Sequence, residues 1–179
     1  ILEVAAYHPS GLWVLLILYT GLRPGEAAAL QWKDIDFDRN EIHVYKAIES
    51  GTNHIKTPKT AAGIRDIPMR KDLRQLLWQA RGDPFSLLFP TKKGTVRSST
   101  SVWRLWNSFA KELDLHMGAE AQDGKIIHHA IAPDLTLYCL RHTFCTDLQR
   151  GGVAINVAKE LMGHSSIAVT ADIYTHRDL

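Results

Sequence analysis

Five side chains in this 179-residue chain could together handle a phosphodiester: Arg23, Lys59, Arg141, His164 and Tyr174. Arginine stays charged and can hold phosphate oxygens through two parallel N–H donors. Phosphoryl transfer calls for such groups, because charge builds on the non-bridging oxygens in the transition state. The phenol of Tyr174 could be a nucleophile once it loses a proton that ordinarily leaves at about pH 10. Lys59 could protonate a departing sugar oxygen, since an alkoxide leaves poorly without an acid. The imidazole of His164 could hydrogen-bond a phosphate oxygen. Singly, each residue has an ordinary structural use: a surface arginine beside a helix start, an arginine paired with a local carboxylate, a half-buried tyrosine, a turn histidine, a solvated lysine. Their order is more informative. Leu135–His176 holds Arg141, His142, the Gly163-His164 corner and Tyr174, while Arg23 and Lys59 come from the other end of the chain.

The elements that must carry these residues can be read from periodicity. Ser10 suits the cap of a helix through Leu12, Leu15, Leu16 and Tyr19, stopped by Gly21. Pro24 opens the next helix, and Glu26 sits where it can reach back to the backbone of Arg23. Arg23 is thereby fixed at a helix start, where outward N–H groups suit a phosphate. Alternation at Ile35–Phe37, Ile42–Tyr45 and Ile64–Ile67 predicts a small three-stranded antiparallel sheet. The polar, basic segment from Ser50 to Gly63 reads as a long hairpin tip. Helices are predicted over Lys71–Ala80, from a cap at Ser98 or Ser99 to Leu113, after Asp134 up to Gly151-Gly152, over Ile155–Met162, and from a cap at Ser165 or Ser166 through Tyr174. In the helix after Asp134, Leu137, Leu140, Phe144 and Leu148 share one face, and Tyr138, Arg141 and Cys145 a neighbouring one. From His116 to Pro133 the periodicity is lost; the segment reads as a loop or insertion with a turn signal at Asp123-Gly124. The fold class is mainly α with a small antiparallel three-stranded sheet (α+β), in a single domain over residues 1–179.

Composition narrows the class without choosing a function. The net charge is +2 and the sequence pI about 8.6, mildly basic. That permits DNA as a partner but does not argue for it. The longest apolar run, Leu12–Tyr19, is far too short to span a bilayer. Cys139 and Cys145 fall on different faces of one helix, so no disulfide is expected between them, in keeping with a reducing cytoplasm. The nine histidines show no metal-ligand spacing; adjacent His128 and His129 read as exposed or singly hydrogen-bonded, and no metal is expected. The chain begins at Ile1 rather than Met and is expected to be a piece of a longer protein.

Five motifs in order carry a family resemblance. Thr20-Gly21-Leu22-Arg23-Pro24-Gly25-Glu26 resembles the Thr-Gly-x-Arg-x-x-Glu box of the tyrosine recombinases, the phage-integrase type. Leu140-Arg141-His142-Thr143-Phe144 resembles their second box, and Leu161-Met162-Gly163-His164-Ser165 their Leu-Gly-His corner. Tyr174 stands ten residues further on, at the place of the family's nucleophile. Lys59-Thr60, followed by Arg65-Asp66-Ile67-Pro68, resembles the family's β-hairpin lysine and the strand after it. The resemblance runs from Tyr19 to His176.

It implies the tyrosine recombinase catalytic-domain fold and a division of labour. Arg23 and Arg141 would clamp the scissile phosphate, Lys59 would be the general acid, and His164 would contact the phosphate or assist proton movement. Tyr174 would attack to give a 3′-phosphotyrosine and a free 5′-hydroxyl; Glu26 would be structural. No metal and no nucleotide cofactor would be needed, because one phosphodiester is exchanged for another of similar energy. One position departs from the pattern: Tyr138 stands where the family has the histidine of His-x-x-Arg. Tyrosine donates hydrogen bonds well but is a poor base near neutral pH. His142, one residue beyond Arg141 on the helix, points about a hundred degrees away from it and is expected to be structural. His54, Lys56, Lys92, Lys93 and Arg97 are candidates for further phosphate contacts. The implied partners are double-stranded DNA attachment sites, a homo-tetramer on DNA for the full-length protein, and an accessory directionality factor, with no membrane. The family's N-terminal DNA-binding domain has no counterpart in these residues. The expected function is integration or excision of a phage or mobile element. The same motifs also fit a chromosome-dimer resolvase or a topoisomerase-like enzyme. A non-catalytic DNA-binding module would rest on Tyr138, and a helical scaffold would bind no DNA at all.

Overall fold

In a computed structural model the described residues are 1–49, 51–52, 54–58 and 60–175, the side chains of Tyr174 and Thr175 excepted. The body is built around α2 (Gly11–Thr20), whose sequence is apolar on every side; Trp13, Val14, Leu16 and Ile17 are all buried. A helix without a polar face must be enclosed. Here α1 (Leu2–Tyr7), α3 (Pro24–Ala29), α4 (Lys71–Ala80) and α6 (Leu137–Arg150) pack around it. Thr20 ends it inside the core, its hydroxyl donating to Leu16 O at 2.5 Å and accepting from Leu22 N at 3.3 Å, so the buried polar group is satisfied.

The predicted sheet forms as β1 (Ile35–Asp36), β2 (Glu41–Val44) and, after two shorter strands, β5 (Arg65–Pro68), in the order β1-β2-β5 and antiparallel throughout. Ile42 faces Ile67 across the register, and both are fully buried. Leu73 and Leu77 of α4 close over the core. From α5 (Ser99–His116) come Val102, Trp106, Phe109 and Leu113. Ser98 caps α5, its Oγ accepting from Ser101 N at 3.2 Å. The chain then runs through α6, α7 (Ile155–Met162) and α8 (Ile167–Thr175), with Ser166 Oγ accepting from Ala168 N at the start of the last.

Four features add to or depart from the sequence reading. A helix, α1, precedes Ser10. At the base of the predicted hairpin tip a second pair of short strands forms, β3 (Ala47–Ile48) with β4 (Ile55–Lys56). The stretch expected to be a loop holds a hairpin, β6 (Glu120–Gln122) with β7 (Lys125–His128). Asp123 and Gly124 both have positive φ there, the two-residue turn that matches strand twist. Its strands lie almost entirely in solvent, so no alternating pattern marks them. Finally, the buried face of α6 is turned: Leu137, Leu140, Arg141 and Cys145 go inward, while Phe144 and Leu148 are only half-buried. Arg141 lies in the second turn of α6. Both cysteines are free. No helix among the described residues is long and apolar enough to cross a membrane.

Candidate active site

The site is assembled at the C-terminal end of α7. The last carbonyls of an α-helix have no partner within the helix and carry its negative end. Three arginines from three different parts of the chain take three successive ones. Arg65 Nε, from β5, donates to Leu161 O at 2.7 Å. Arg141 Nη2, from α6, donates to Met162 O. Arg23 Nη2, at the start of α3, donates to Gly163 O at 2.8 Å. This arrangement lets three like charges sit together.

A carboxylate completes the frame. Glu26 is buried and pairs with Arg65 Nη2 through Oε2 at 2.9 Å and with Arg23 Nη1 through Oε1 at 2.8 Å. It also accepts from Arg23 N at 2.8 Å, the reach-back expected from its spacing. Burial works to raise its pKa, but the hydrogen bonds and charge of Arg65, then those of Arg23, outweigh this and hold it below the usual carboxylate range.

Arg141 also bonds through Nη1 to Gly21 O, tying α6 to the α2–α3 corner. Burial, and next the charge of Arg23, bring its pKa down to about 10, so it remains a cation at neutral pH. Both corners need glycine. Gly21 has φ +62°, and a Cβ there would lie 2.4 Å from Phe144 Cδ1; Gly163 has φ +64°, and a Cβ would lie 2.7 Å from Arg65 Nη1.

His164 follows directly, buried, with Nδ1 paired to Thr170 Oγ1 of α8 at 2.9 Å. Burial first, then the charges of Arg141, Arg23 and Arg65, push its pKa down to about 4, leaving the imidazole neutral near pH 7. Residue 174 lies on α8 one turn beyond Thr170.

Of the residues singled out from sequence, Arg23, Arg141 and His164 are thus brought together. Lys59 and the Tyr174 side chain lie outside what the structure describes. Tyr138 is 59% exposed and lines a cleft that Arg23 also lines. His142 is exposed, and of the remaining cations, Lys92 and Lys93 are exposed in the loop before α5, as is His54. Lys56 is paired with Glu49 at 2.5 Å. Arg97 is engaged within the fold, where its guanidinium holds Phe89 O, Pro90 O and Ser101 Oγ at 2.8–3.1 Å. The adjacent histidines are paired singly, His128 with Glu120 and His129 with Asp114. Among the described residues no three His, Cys, Asp or Glu side chains are grouped to hold a metal ion.

Two participants were missed from sequence. Arg65 precedes inward-facing Ile67 by two residues, so strand alternation already placed it on the inner face. Thr170 carries no such signal.

Comparison with known proteins agrees with this geometry. Residues 2–179 match the Phage integrase family. The chain is 31% identical over 173 residues to a tyrosine recombinase XerC-like protein of Caldanaerobacter subterraneus subsp. tengcongensis, covering 90% of this chain and 44% of that protein. It is 33% identical over 165 residues to the ICEBs1 integrase of Bacillus subtilis, covering 88% and 42%. With the transposase of transposon Tn916 from Enterococcus faecalis it shares 26% over 177 residues, covering 91% and 41%. The chain therefore spans less than half the length of these relatives. Among solved structures, the Tn1549 transposon integrase in complex with circular intermediate DNA superposes with a TM-score of 0.78 at 25% identity, covering 97% of this chain and 60% of that one. The XerA recombinase shows the same fold with a TM-score of 0.64 at 22% identity, covering 98% and 54%. With the fold, the arginine-lined corner and the sequence match in agreement, this chain belongs to the phage integrase family and has the tyrosine recombinase catalytic-domain fold.

Proposed function

We propose that this chain is the catalytic part of a site-specific DNA recombinase that integrates or excises a mobile element through a covalent tyrosine intermediate. The observation that carries the reading is the convergence of Arg23, Arg65 and Arg141 on the last carbonyls of α7, next to a neutral, buried His164. The side chain of Arg23 remains 39% exposed, so its fork can still meet a phosphate. Such a cluster is fixed before substrate arrives, so it need not reorganise as charge develops on the phosphoryl oxygens.

In this mechanism Tyr174 gives up its phenolic proton to solvent and attacks phosphorus, the bond to the 5′ oxygen breaks, and Lys59 supplies that oxygen's proton. Arg23 and Arg141 hold the non-bridging oxygens. His164 meets one of them as a neutral hydrogen-bond donor through the nitrogen not paired with Thr170. Tyr138 contributes its hydroxyl as a hydrogen-bond donor. The reverse attack by a 5′ hydroxyl rejoins the strand. The full-length protein would act as a tetramer on two attachment sites, guided by an accessory factor. His54, Lys92 and Lys93 would add phosphate contacts. A mobile-element integrase is preferred over a chromosome-dimer resolvase on the likeness to the ICEBs1 integrase at 33% identity and to the Tn1549 transposon integrase.

The test uses the full-length protein and nicked suicide duplexes spanning the ends of its own element. A covalent protein–DNA adduct on a denaturing gel is expected, abolished by Tyr174→Phe and weakened by Tyr138→Phe. No adduct with the unaltered protein, or an unchanged one with Tyr174→Phe, overturns the reading. Undiminished cleavage by Tyr138→Phe removes that hydroxyl from the mechanism.

A further inference from the structure

The cleft beside Arg23 has a character that phosphate binding does not explain. It opens between α3, β3, α5 and α6 and encloses about 390 Å³, at the lower end of the roughly 300–1,000 Å³ of small-molecule sites. Its surface is mostly apolar, with Ile48, Val102 and Leu137 in its lining. Two large aromatic side chains share that lining and are half open to solvent: Trp103 of α5, 52% exposed, and Tyr138 of α6, 59% exposed. The one buried carboxylate that lines it, Glu26, is already neutralised by Arg65 and Arg23.

A stacked duplex offers a protein phosphates, sugars and groove edges. It has no flat apolar face to fill a concave, aromatic-walled cleft. A base taken out of the stack has one, and aromatic side chains bind it without regard to sequence because every base has a π-face. The volume suits one nucleoside better than a helix. Arg23 lines the same cleft, so whatever fills it is joined to the phosphate that Arg23 meets.

Building on the recombinase reading, we infer that this cleft receives a single unstacked nucleobase from the strand next to the scissile phosphate, with Trp103 and Tyr138 as its stacking faces. The reading gives a positive reason for the aromatic ring at position 138, which the phosphate chemistry alone lacks: the hydroxyl serves the reaction and the ring serves the base.

The experiment uses the full-length protein and nicked duplexes carrying the photoreactive base 5-iodouracil, in turn, at each of the three nucleotides on either side of the scissile phosphate. A photocrosslink to the protein is expected at one flanking position. It should be lost in Trp103→Ala, with about a tenfold loss of affinity, and be retained in Trp103→Phe. Removing the base at that position should abolish the difference in affinity between Trp103→Ala and the unaltered protein. No crosslink at any position while the covalent adduct forms overturns the proposal, as does a crosslink that Trp103→Ala leaves intact; a peptide segment of a neighbouring copy in the cleft would give the first result. Adduct formation in parallel samples kept in the dark tests the recombinase reading separately: a Trp103-dependent crosslink without an adduct would sink that reading and leave the base-binding cleft standing.

Discussion

Arg65 shows how much one side chain can hold. It binds Leu161 O at the end of α7 and both oxygens of buried Glu26, so a strand, a helix start and a helix end meet on one guanidinium. Removing it leaves a buried carboxylate short of its main partner, which costs about 3–5 kcal/mol. Arg65→Ala should therefore lower the stability measured by urea denaturation by that margin. Arg65→Lys should recover only part, since a single ammonium cannot span the carboxylate and the carbonyl together. His164 gives a pH signature. The unfolded histidine, with a pKa of about 6.5, takes up its proton before the folded one, whose pKa is about 4. Stability from this group is thus full above about pH 6.5 and is lost as the pH falls toward 4. His43 acts oppositely: its hydrogen bond to Asp66 raises its pKa against a smaller effect of burial, so its contribution is lost as the pH rises. Comparing the unaltered protein with His164→Asn cancels that background. Between pH 7 and 5.5 the unaltered protein should lose about 1 kcal/mol more than the variant, measured by urea denaturation.

At the scale of elements, the two glycine corners decide whether the arginines meet. Gly21 stops α2, gives its carbonyl to Arg141, and lies against Phe144 of α6. An added methyl meets both a left-handed backbone, costing about 1–2 kcal/mol, and an overpacked contact costing about 1–3. Gly21→Ala should destabilise the protein by about 2–5 kcal/mol in urea denaturation. It should also reduce adduct formation even where the protein remains folded, because the carbonyl that anchors Arg141 moves. The elements themselves were legible wherever one face is buried: α4, α5, α7 and the three-stranded sheet all carry their apolar period. The β6–β7 hairpin was not, since strands with both faces in solvent have no pattern beyond their Asp-Gly turn. The inward turn of Arg141 was hidden for a different reason. Periodicity assigns a guanidinium to the polar face, and only the carbonyls of Gly21 and Met162 make its burial possible.

For the whole molecule, the cluster of arginines is a standing electrostatic cost that an anion relieves. Burial and the charge of Arg23 already depress the pKa of Arg141, which measures that cost. Inorganic phosphate should stabilise the protein, and at ten times its Kd the melting temperature should rise by about 3–5 °C. Arg23→Ala should remove most of the rise, with chloride at equal ionic strength as the control. From sequence alone Arg23, Arg141, His164 and the glycine corners could be singled out through local signals: a left-handed stop, a proline at a helix start, a reach-back glutamate. Arg65 and Thr170 were not, because Arg65 joins the site only through contacts distant in the chain and Thr170 only through the packing of α8 against His164. The joint position of all these residues was settled by tertiary structure. Arg23 and Gly163 are 140 residues apart and meet through one hydrogen bond. No local pattern encodes a contact of that range; it exists because α7 ends with unpaired carbonyls where α2, α3, β5 and α6 converge, and three cations satisfy them.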